Sequence, residues 1–282
     1  MTDVLATEAR PRVTIRPRTS WLPADPRELW DFRELLRRFA ARDVTLRYRQ
    51  TALGVTWVVL QPLLGAGILS FVFGTVAGLA GPEGIPYFVF ALTGMVAWTA
   101  YSQTALRSSG SLVANAQLVG KVFFPRLLLP ISTTLSTLVD VAVSFALLAV
   151  LLVVNRIWAG PAILLLPVWL LLLLLFGLGL GLVSSALMVR YRDVQFVLPV
   201  GIQLLLFASP VAYSAASAPE SAQWAFAINP LTGLLEGFRW SVLGTEAPST
   251  GAIVYAVVAS LATFLVGLAI FSRLERQFAD VI

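Results

Sequence analysis

Long apolar runs alternate with short polar connections once the polar first 50 residues have passed. Each run holds at least 20 residues, and a helix of that length spans roughly 30 Å of hydrocarbon. A helix also satisfies its backbone hydrogen bonds internally, as lipid requires. The pattern therefore predicts an all-α, polytopic membrane protein with six transmembrane helices. The predicted spans are 54–79, 86–106, 131–154, 162–189, 194–213 and 251–271.

Two shorter apolar pieces lie between the fifth and sixth spans. Trp224–Ile228 and Leu231–Leu243 are separated by Asn229-Pro230, and neither is long enough to cross a bilayer alone. They predict a pair of short re-entrant helices within 220–243 that dips into the membrane and returns. Such a pair leaves the orientation of the sixth span unchanged.

The N-terminal segment has two predicted parts, followed by a transmembrane domain over 53–282. Residues 1–25 contain few apolar side chains, so we expect a disordered cytoplasmic tail with no cleavable signal peptide. Asp25-Pro26-Arg27-Glu28 is typical of a helix start, with Asp as the cap and Pro at the first helical position. Apolar residues then recur every three or four positions, which predicts an amphipathic helix over Pro26–Ala41 within an interface segment, 26–52. This helix lies either on the inner membrane surface or against a cytoplasmic partner.

The charge distribution fits this membrane reading and sets the orientation. Only 12% of the residues are charged and 58% are hydrophobic, whereas soluble domains carry about 25% charged residues. The net charge is +5, and 18 of the 20 basic residues fall on one side of the predicted topology. Only Arg156 and Arg239 fall on the other side. The positive-inside rule therefore places both termini in the cytoplasm, and the positive charge is explained without a nucleic-acid partner.

Several kinds of chemistry are excluded by composition. The 282 residues include no His and no Cys, so the sequence offers no imidazole base, thiolate nucleophile, zinc cluster or disulfide. The single lysine, Lys121, does not lie in a phosphate-binding G-x-x-x-x-G-K-[ST] loop. Gly177, Gly179 and Gly181 lie inside a Leu-rich span, where small residues favour close helix packing over nucleotide binding. We therefore expect no enzyme, no metal and no cofactor in this chain.

Polar side chains within the spans indicate where an internal passage runs. Asp140 is the single acidic residue inside a span, and burying its charge is costly unless it is hydrated or paired. It either lines a pathway or is a structural anchor bonded to Ser, Thr or Arg on a neighbouring helix. Most Trp and Tyr residues near span ends suit the membrane interface, although a subset has the stacking surface to contact sugars. The candidates for the passage are Gln61, Trp98, Tyr101, Asp140, Gln203 and Tyr213.

Several strings, in order and spread over nearly the whole chain after residue 26, carry a family resemblance. They are Phe32–Leu36, Arg47–Gly54, Lys121–Arg126, Arg190–Val194, Ser209–Tyr213, Glu236–Trp240 and Phe278–Ile282. Together they resemble the ABC-2 type permease of the O-antigen and teichoic-acid polysaccharide exporters. The resemblance implies a homodimer in the bacterial inner membrane, with two copies of a separate ATPase subunit that binds ATP and Mg²⁺. It also implies a cargo of polysaccharide built on undecaprenyl diphosphate.

The resemblance further implies roles for particular residues. The cytoplasmic segment 107–126 resembles the family's coupling helix, so Ser111, Asn115, Gln117 and Lys121 are candidates for contact with the ATPase. The helix at 26–41 resembles its interface helix, and the region 220–243 resembles an outer gate, with Trp224, Phe238 and Trp240 as candidates. A lipid diphosphate is anionic, and cations at the inner ends of the spans suit it. The candidates for guiding it are Arg42, Arg47, Arg49, Arg190 and Arg192.

The sequence is also compatible with other functions. An ABC-2 exporter of a drug or small lipid has the same architecture and a different cargo. A membrane-embedded glycosyl- or phosphotransferase needs an acidic cluster at the inner surface, for which Asp43 and Asp193 are the only candidates. An ATP-independent channel is a further alternative. Copurification with an ATPase separates the exporter from the last two.

Overall fold

The computed structural model describes residues 26–49, 56–217 and 219–275, which form helices and short connections. No strand occurs within these ranges, in agreement with the predicted all-α class. The helices are α1 Pro26–Asp31, α2 Arg33–Tyr48, α3 Thr56–Leu69, α4 Tyr87–Ala114, α5 Ala116–Lys121, α6 Leu128–Val154, α7 Leu166–Arg190, α8 Val194–Phe207, α9 Glu220–Ile228, α10 Pro230–Leu243 and α11 Thr250–Leu274. A π-helical turn at Ser70–Val76 extends α3, and short 3₁₀ turns lie at Pro161–Leu165 and Ala215–Ser217.

Four helical segments in the described residues are long and apolar enough to cross a membrane. They are Thr56–Val76, Leu128–Val154, Pro161–Arg190 and Thr250–Leu274, and each coincides with a predicted span. The second predicted span is occupied by α4, which continues to Ala114 instead of ending at Leu106. The fifth predicted span is occupied by α8. This helix ends at Phe207 instead of Tyr213, and the chain around Ser209-Pro210 is not helical.

The helix α4 forms the centre of the bundle. Of its 28 residues, 18 are buried, and it packs against α7, α6, α3 and α10. Close contact with α7 depends on glycine, since a Cβ on Gly177 would lie 2.6 Å from the carbonyl oxygen of Tyr101. A Cβ on Gly181, one turn further, would overlap the side chain of Ser108. These contacts confirm the predicted packing role of the glycines.

The N-terminal amphipathic segment packs on the bundle itself. It consists of α1 and α2, with a break at Phe32, and α2 continues seven residues beyond the predicted end at Ala41. Phe39 is buried, and its ring meets that of Phe124 edge-on at 5.5 Å. The apolar stripe of the helix therefore packs largely against its own chain, which neither sequence reading anticipated. The expected N-cap Asp25, the tail 1–25 and the linker residues 50–52 lie outside the described residues.

Two short helices, α9 and α10, form a hairpin at the two short apolar pieces between the fifth and sixth predicted spans. Asn229 separates the helices, and its side-chain oxygen accepts a hydrogen bond from the Leu231 amide at 3.0 Å, which caps α10. The helix α10 is largely buried against α11, α4 and α7, whereas α9 is mostly exposed. The helix α10 is followed by Gly244, whose φ of 67° lies in the left-handed region that glycine adopts readily.

Candidate functional site

Asp140 lies at the centre of a polar cluster formed by three helices. Its carboxylate, on α6, accepts hydrogen bonds from Arg47 and Tyr48 at the end of α2 and from Arg107 on α4. The residue is only 4% exposed, so these partners must compensate for the loss of water around its carboxylate. The cluster joins residues that are 33 to 93 positions apart in the chain. The geometry fits the structural-anchor reading of Asp140, and the Arg donors come from two neighbouring helices.

Hydroxyl groups on α6 complete the cluster. Ser136 accepts a hydrogen bond from Arg47 at 3.3 Å, and Thr137 accepts one from Arg107 at 3.2 Å. Two guanidinium groups and one carboxylate leave a surplus of about one positive charge, because arginine stays protonated in proteins. A positive surplus favours an anionic ligand over a cationic one.

A cleft of about 170 Å³ opens beside this cluster. Trp57, Gln61 and Pro62 of α3 line one side, and Thr99, Gln103 and Arg107 of α4 line another. Arg47, Tyr48 and Asp140 also border it. Cations, amide groups and an aromatic ring therefore share one concave surface, which suits a polar, anionic ligand with hydroxyl groups.

The predicted passage residues divide between this cleft and other places. Gln61 and Asp140 border the cleft, whereas Gln203 is exposed on α8 and Tyr213 follows the end of that helix. Trp98 and Tyr101 are 5% and 0% exposed, and the Tyr101 ring stacks on Phe176 at 5.5 Å. Both side chains are thus packed inside the protomer, and a role for them along a passage stays a prediction. The apolar packing of α4 on α7 explains their burial.

The predicted outer-gate residues also differ in exposure. Trp224 on α9 is 66% exposed, and Trp240 on α10 is partly exposed. Phe238 is 1% exposed and belongs to the hydrophobic core, and its role in an outer gate stays a prediction. It faces inward because α10 packs between α4, α7 and α11.

Arg239, counted in the sequence only as an outer charge, is a buried structural residue. Its guanidinium donates to the carbonyl oxygens of Pro210, Val211 and Tyr213, where the chain leaves α8. The guanidinium carbon also lies 4.3 Å from the centre of the Phe90 ring. An arginine within an otherwise apolar outer segment was the signal for this role, because a charge placed there needs partners.

The same irregular segment after α8 is held by two further side chains of the α9–α10 hairpin. Asn229 donates to the Ala208 carbonyl at 3.2 Å and to the Ser209 hydroxyl at 2.9 Å. Glu236 accepts from the Ala215 amide at 3.0 Å. The hairpin thus supplies partners to backbone groups that the break in the helix exposes.

The predicted coupling residues lie around the junction of α4 and α5. Gln117 and Lys121 are exposed, whereas Ser111 is buried and donates to the Ser108 carbonyl; its coupling role stays a prediction. Its hydroxyl turns back to its own helix at a position packed against the bundle. Asn115 accepts a hydrogen bond from Arg42 of α2 at 2.5 Å. Arg42 therefore ties α2 to the junction of α4 and α5.

Only one of the five predicted headgroup cations borders the cleft. Arg47 does so, whereas Arg42 bonds to Asn115, and Arg49, Arg190 and Arg192 are exposed. The second cation of the cleft is Arg107, which the sequence reading counted only toward topology. Nothing in the sequence pairs it with Asp140, because that proximity arises from packing of α4 on α6.

Two groups on α2 have shifted pKa values. Burial raises the pKa of the Asp43 carboxyl, with the charge of Arg42 and the hydrogen bonds from Arg42 and Ser132 opposing the shift. Burial, together with the hydrogen bond to Asp140, raises the pKa of the Tyr48 hydroxyl. Tyr48 therefore remains protonated at neutral pH and keeps donating to Asp140.

The chain belongs to the ABC-2 type transporter family, whose model matches residues 34–243. It is similar to two O-antigen export system permease proteins RfbA of Klebsiella pneumoniae. One is 30% identical over 88% of this chain and 95% of the relative, and the other is 29% identical over the same shares. It is also 28% identical to the polysialic acid transport protein KpsM of Escherichia coli, over 83% of this chain and 91% of that protein.

Proposed function

We propose that this chain is the membrane permease of an ABC exporter that moves lipid-linked polysaccharide from the cytoplasmic to the outer face of a bacterial inner membrane. The observation that carries the proposal is its similarity to O-antigen and polysialic acid export permeases over most of both chains. The cargo is a glycan on an undecaprenyl diphosphate carrier, such as an O-antigen or a teichoic acid.

The permease works as a homodimer of six-span protomers with cytoplasmic termini. In this arrangement α3 and α8 meet lipid or the second copy, and both helices expose large apolar side chains. Those of α3 and its π-helical turn include Leu64, Ile68 and Phe71, and those of α8 include Phe196, Val200 and Leu204. The helix α8, only 14 residues long, completes its crossing through the irregular segment that Arg239 holds.

Energy comes from two copies of a separate ATPase subunit that bind ATP and Mg²⁺. The short helix α5 is the proposed contact with that subunit, and the exposed side chains of Gln117, Lys121, Val122 and Phe123 support this assignment. Motion of α5 reaches α2 through the bond between Arg42 and Asn115. The outer hairpin α9–α10 is the proposed exit gate.

Depletion of the permease in its host tests the function. An exporter leaves glycan synthesis intact, so lipid-linked polysaccharide accumulates inside the cell and disappears from the surface. Loss of synthesis itself would favour the transferase alternative, and normal surface polysaccharide would contradict the proposal. If the chain exports a drug or small lipid, its depletion would change neither the lipid-linked polysaccharide inside the cell nor the polysaccharide at the surface.

Association with an ATPase is tested on the same chain. The tagged permease should copurify with an ATPase, and removal of residues 110–122 should abolish that copurification while leaving the protein in the membrane. An ATP-independent channel would show no ATPase in either preparation.

A further inference from the structure

The two cations beside Asp140 have unused hydrogen-bonding capacity. Two guanidinium groups carry roughly ten N–H donors, and the hydrogen bonds of Arg47 and Arg107 to Asp140, Ser136 and Thr137 use only part of them. Their side chains are 28% and 22% exposed, whereas that of Asp140 is 5% exposed. All three side chains border the cleft, and the two guanidinium groups are more exposed than the carboxylate.

The rest of the cleft supplies groups that suit a sugar. The Trp57 ring is 50% exposed, and Gln61 and Gln103 add amide groups that both donate and accept hydrogen bonds. The cleft volume of about 170 Å³ lies below the roughly 300–1,000 Å³ of pockets that enclose a drug-sized ligand. The cleft therefore suits a headgroup and the adjoining end of one sugar, and not a polymer.

We propose that this cleft binds the diphosphate and first sugar of the lipid-linked cargo, and that Asp140 is an internal anion which the incoming phosphate displaces from Arg47 and Arg107. This inference rests on the proposed function. Of the five arginines that the sequence suggested for the headgroup, the proposal keeps only Arg47, and it adds Arg107.

The exchange has a physical basis in the geometry of the three side chains. Phosphate oxygens accept paired hydrogen bonds from guanidinium groups, as a carboxylate does, so the two anions compete for the same donors. A doubly charged diphosphate pairs with both cations, whereas Asp140 neutralises only one positive charge. Tyr48 continues to donate to Asp140 after the exchange, which avoids leaving a buried carboxylate without a partner.

Competition by Asp140 also makes the bound state reversible. A headgroup held by two arginines without a competitor would leave slowly, since charge-assisted hydrogen bonds to phosphate are strong. The carboxylate can reclaim the arginines as the headgroup departs, so the site returns to its starting state. This property suits a permease that must release each carrier lipid.

Binding of farnesyl diphosphate to the purified permease–ATPase complex in nanodiscs tests the proposal. Arg47→Gln and Arg107→Gln should each raise the Kd about tenfold or more, because each removes charge-assisted hydrogen bonds. The matched control is Arg37→Gln, which removes the same charge from an exposed position ten residues earlier on α2 and should leave the Kd unchanged. Equal binding by all three variants and the wild type would overturn the proposal.

Two further variants test the competition itself. Asp140→Asn removes the competing charge and should lower the Kd several-fold, whereas a structural anchor alone would predict unchanged or weaker binding. Tyr48→Phe keeps every charge but removes the donor that stabilises the released carboxylate, so it should raise the Kd a few-fold. It tests the competition even where Asp140→Asn fails to fold, and a Kd equal to that of the wild type would overturn the exchange.

Competing ligands identify the source of the phosphate. Inorganic pyrophosphate should displace the probe, while phosphatidylglycerol at equal concentration should not; equal displacement by phosphatidylglycerol would indicate a phospholipid site and overturn the assignment. Surface polysaccharide in cells is a separate readout. Lost export in Arg47→Gln with unchanged probe binding would refute the cleft and leave the proposed function standing. Failure of wild-type export on the depletion test would refute the function independently.

Discussion

Replacement of Arg239 by Met tests whether the outer hairpin holds the broken end of α8. Met is unbranched and apolar, so it occupies part of the same space without donating a hydrogen bond. The carbonyl oxygens of Pro210, Val211 and Tyr213 then lose the guanidinium that they share. Buried carbonyl groups without partners are costly at a depth where water is scarce.

The expected decrease in the free energy of unfolding follows from these contacts. Each hydrogen bond to a charged donor contributes about 1.5–3 kcal/mol, and the contact with the Phe90 ring adds about 1–2 kcal/mol. Removing a fully buried cation also recovers its desolvation cost, which offsets part of this loss. We expect a net decrease in the free energy of unfolding of about 3 kcal/mol.

Thermal unfolding of the solubilised complex measures the loss, and a cysteine label locates it. The chain has no native cysteine, so a single Cys in place of exposed Ala216 reports specifically on the segment after α8. Arg239→Met should lower the unfolding temperature and speed labelling. The matched control, Arg156→Met, alters the other basic residue of the predicted outer side, which is exposed, and should change stability by less than about 0.5 kcal/mol. Equal stability and labelling in the two variants would refute the role of Arg239.

Three further substitutions probe packing and coupling. Gly177→Ala should destabilise the bundle by about 1–3 kcal/mol by forcing α7 away from α4, whereas Gly201→Ala, with open space around it, should not; equal unfolding temperatures would contradict this. Phe39→Ala should cost about 3–5 kcal/mol by opening a cavity between α2 and the bundle, measured by thermal unfolding. Asn115→Ala should reduce export several-fold while ATP hydrolysis continues, because α5 loses its tie to α2. The control Asn155→Ala, at an exposed asparagine that follows α6, keeps that tie and should leave export unchanged; parallel loss of hydrolysis in Asn115→Ala would argue against the explanation.

The element pattern was largely predictable because it depends on local composition. Runs of apolar residues predicted the membrane helices, and Asn229-Pro230 marked the division between α9 and α10. Helix ends were less predictable where distant residues fix them. The helix α2 is an example, because its last residues include Arg47 and Tyr48, which donate hydrogen bonds to Asp140 on α6.

The candidate site was predictable only in part. Gln61, Arg47 and Asp140 were recognisable as polar residues in or beside apolar spans, and they do meet at one cleft. Arg107 was not recognisable as their partner, because its position suited a cytoplasmic topology signal equally well. Tyr101 looked like a pathway residue, yet its ring is enclosed between α4 and α7.

The sequence by itself determined the class of protein: apolar runs, the basic residues between them and family motifs are properties of residues near one another in the chain. Tertiary structure alone decided which charges pair. Asp140 meets Arg47 and Arg107, and Arg239 meets the carbonyl groups after α8, across separations of 26 to 93 residues. The physical reason is that a buried charge requires partners within hydrogen-bonding distance. Those partners are supplied by helix packing, which local sequence patterns do not specify.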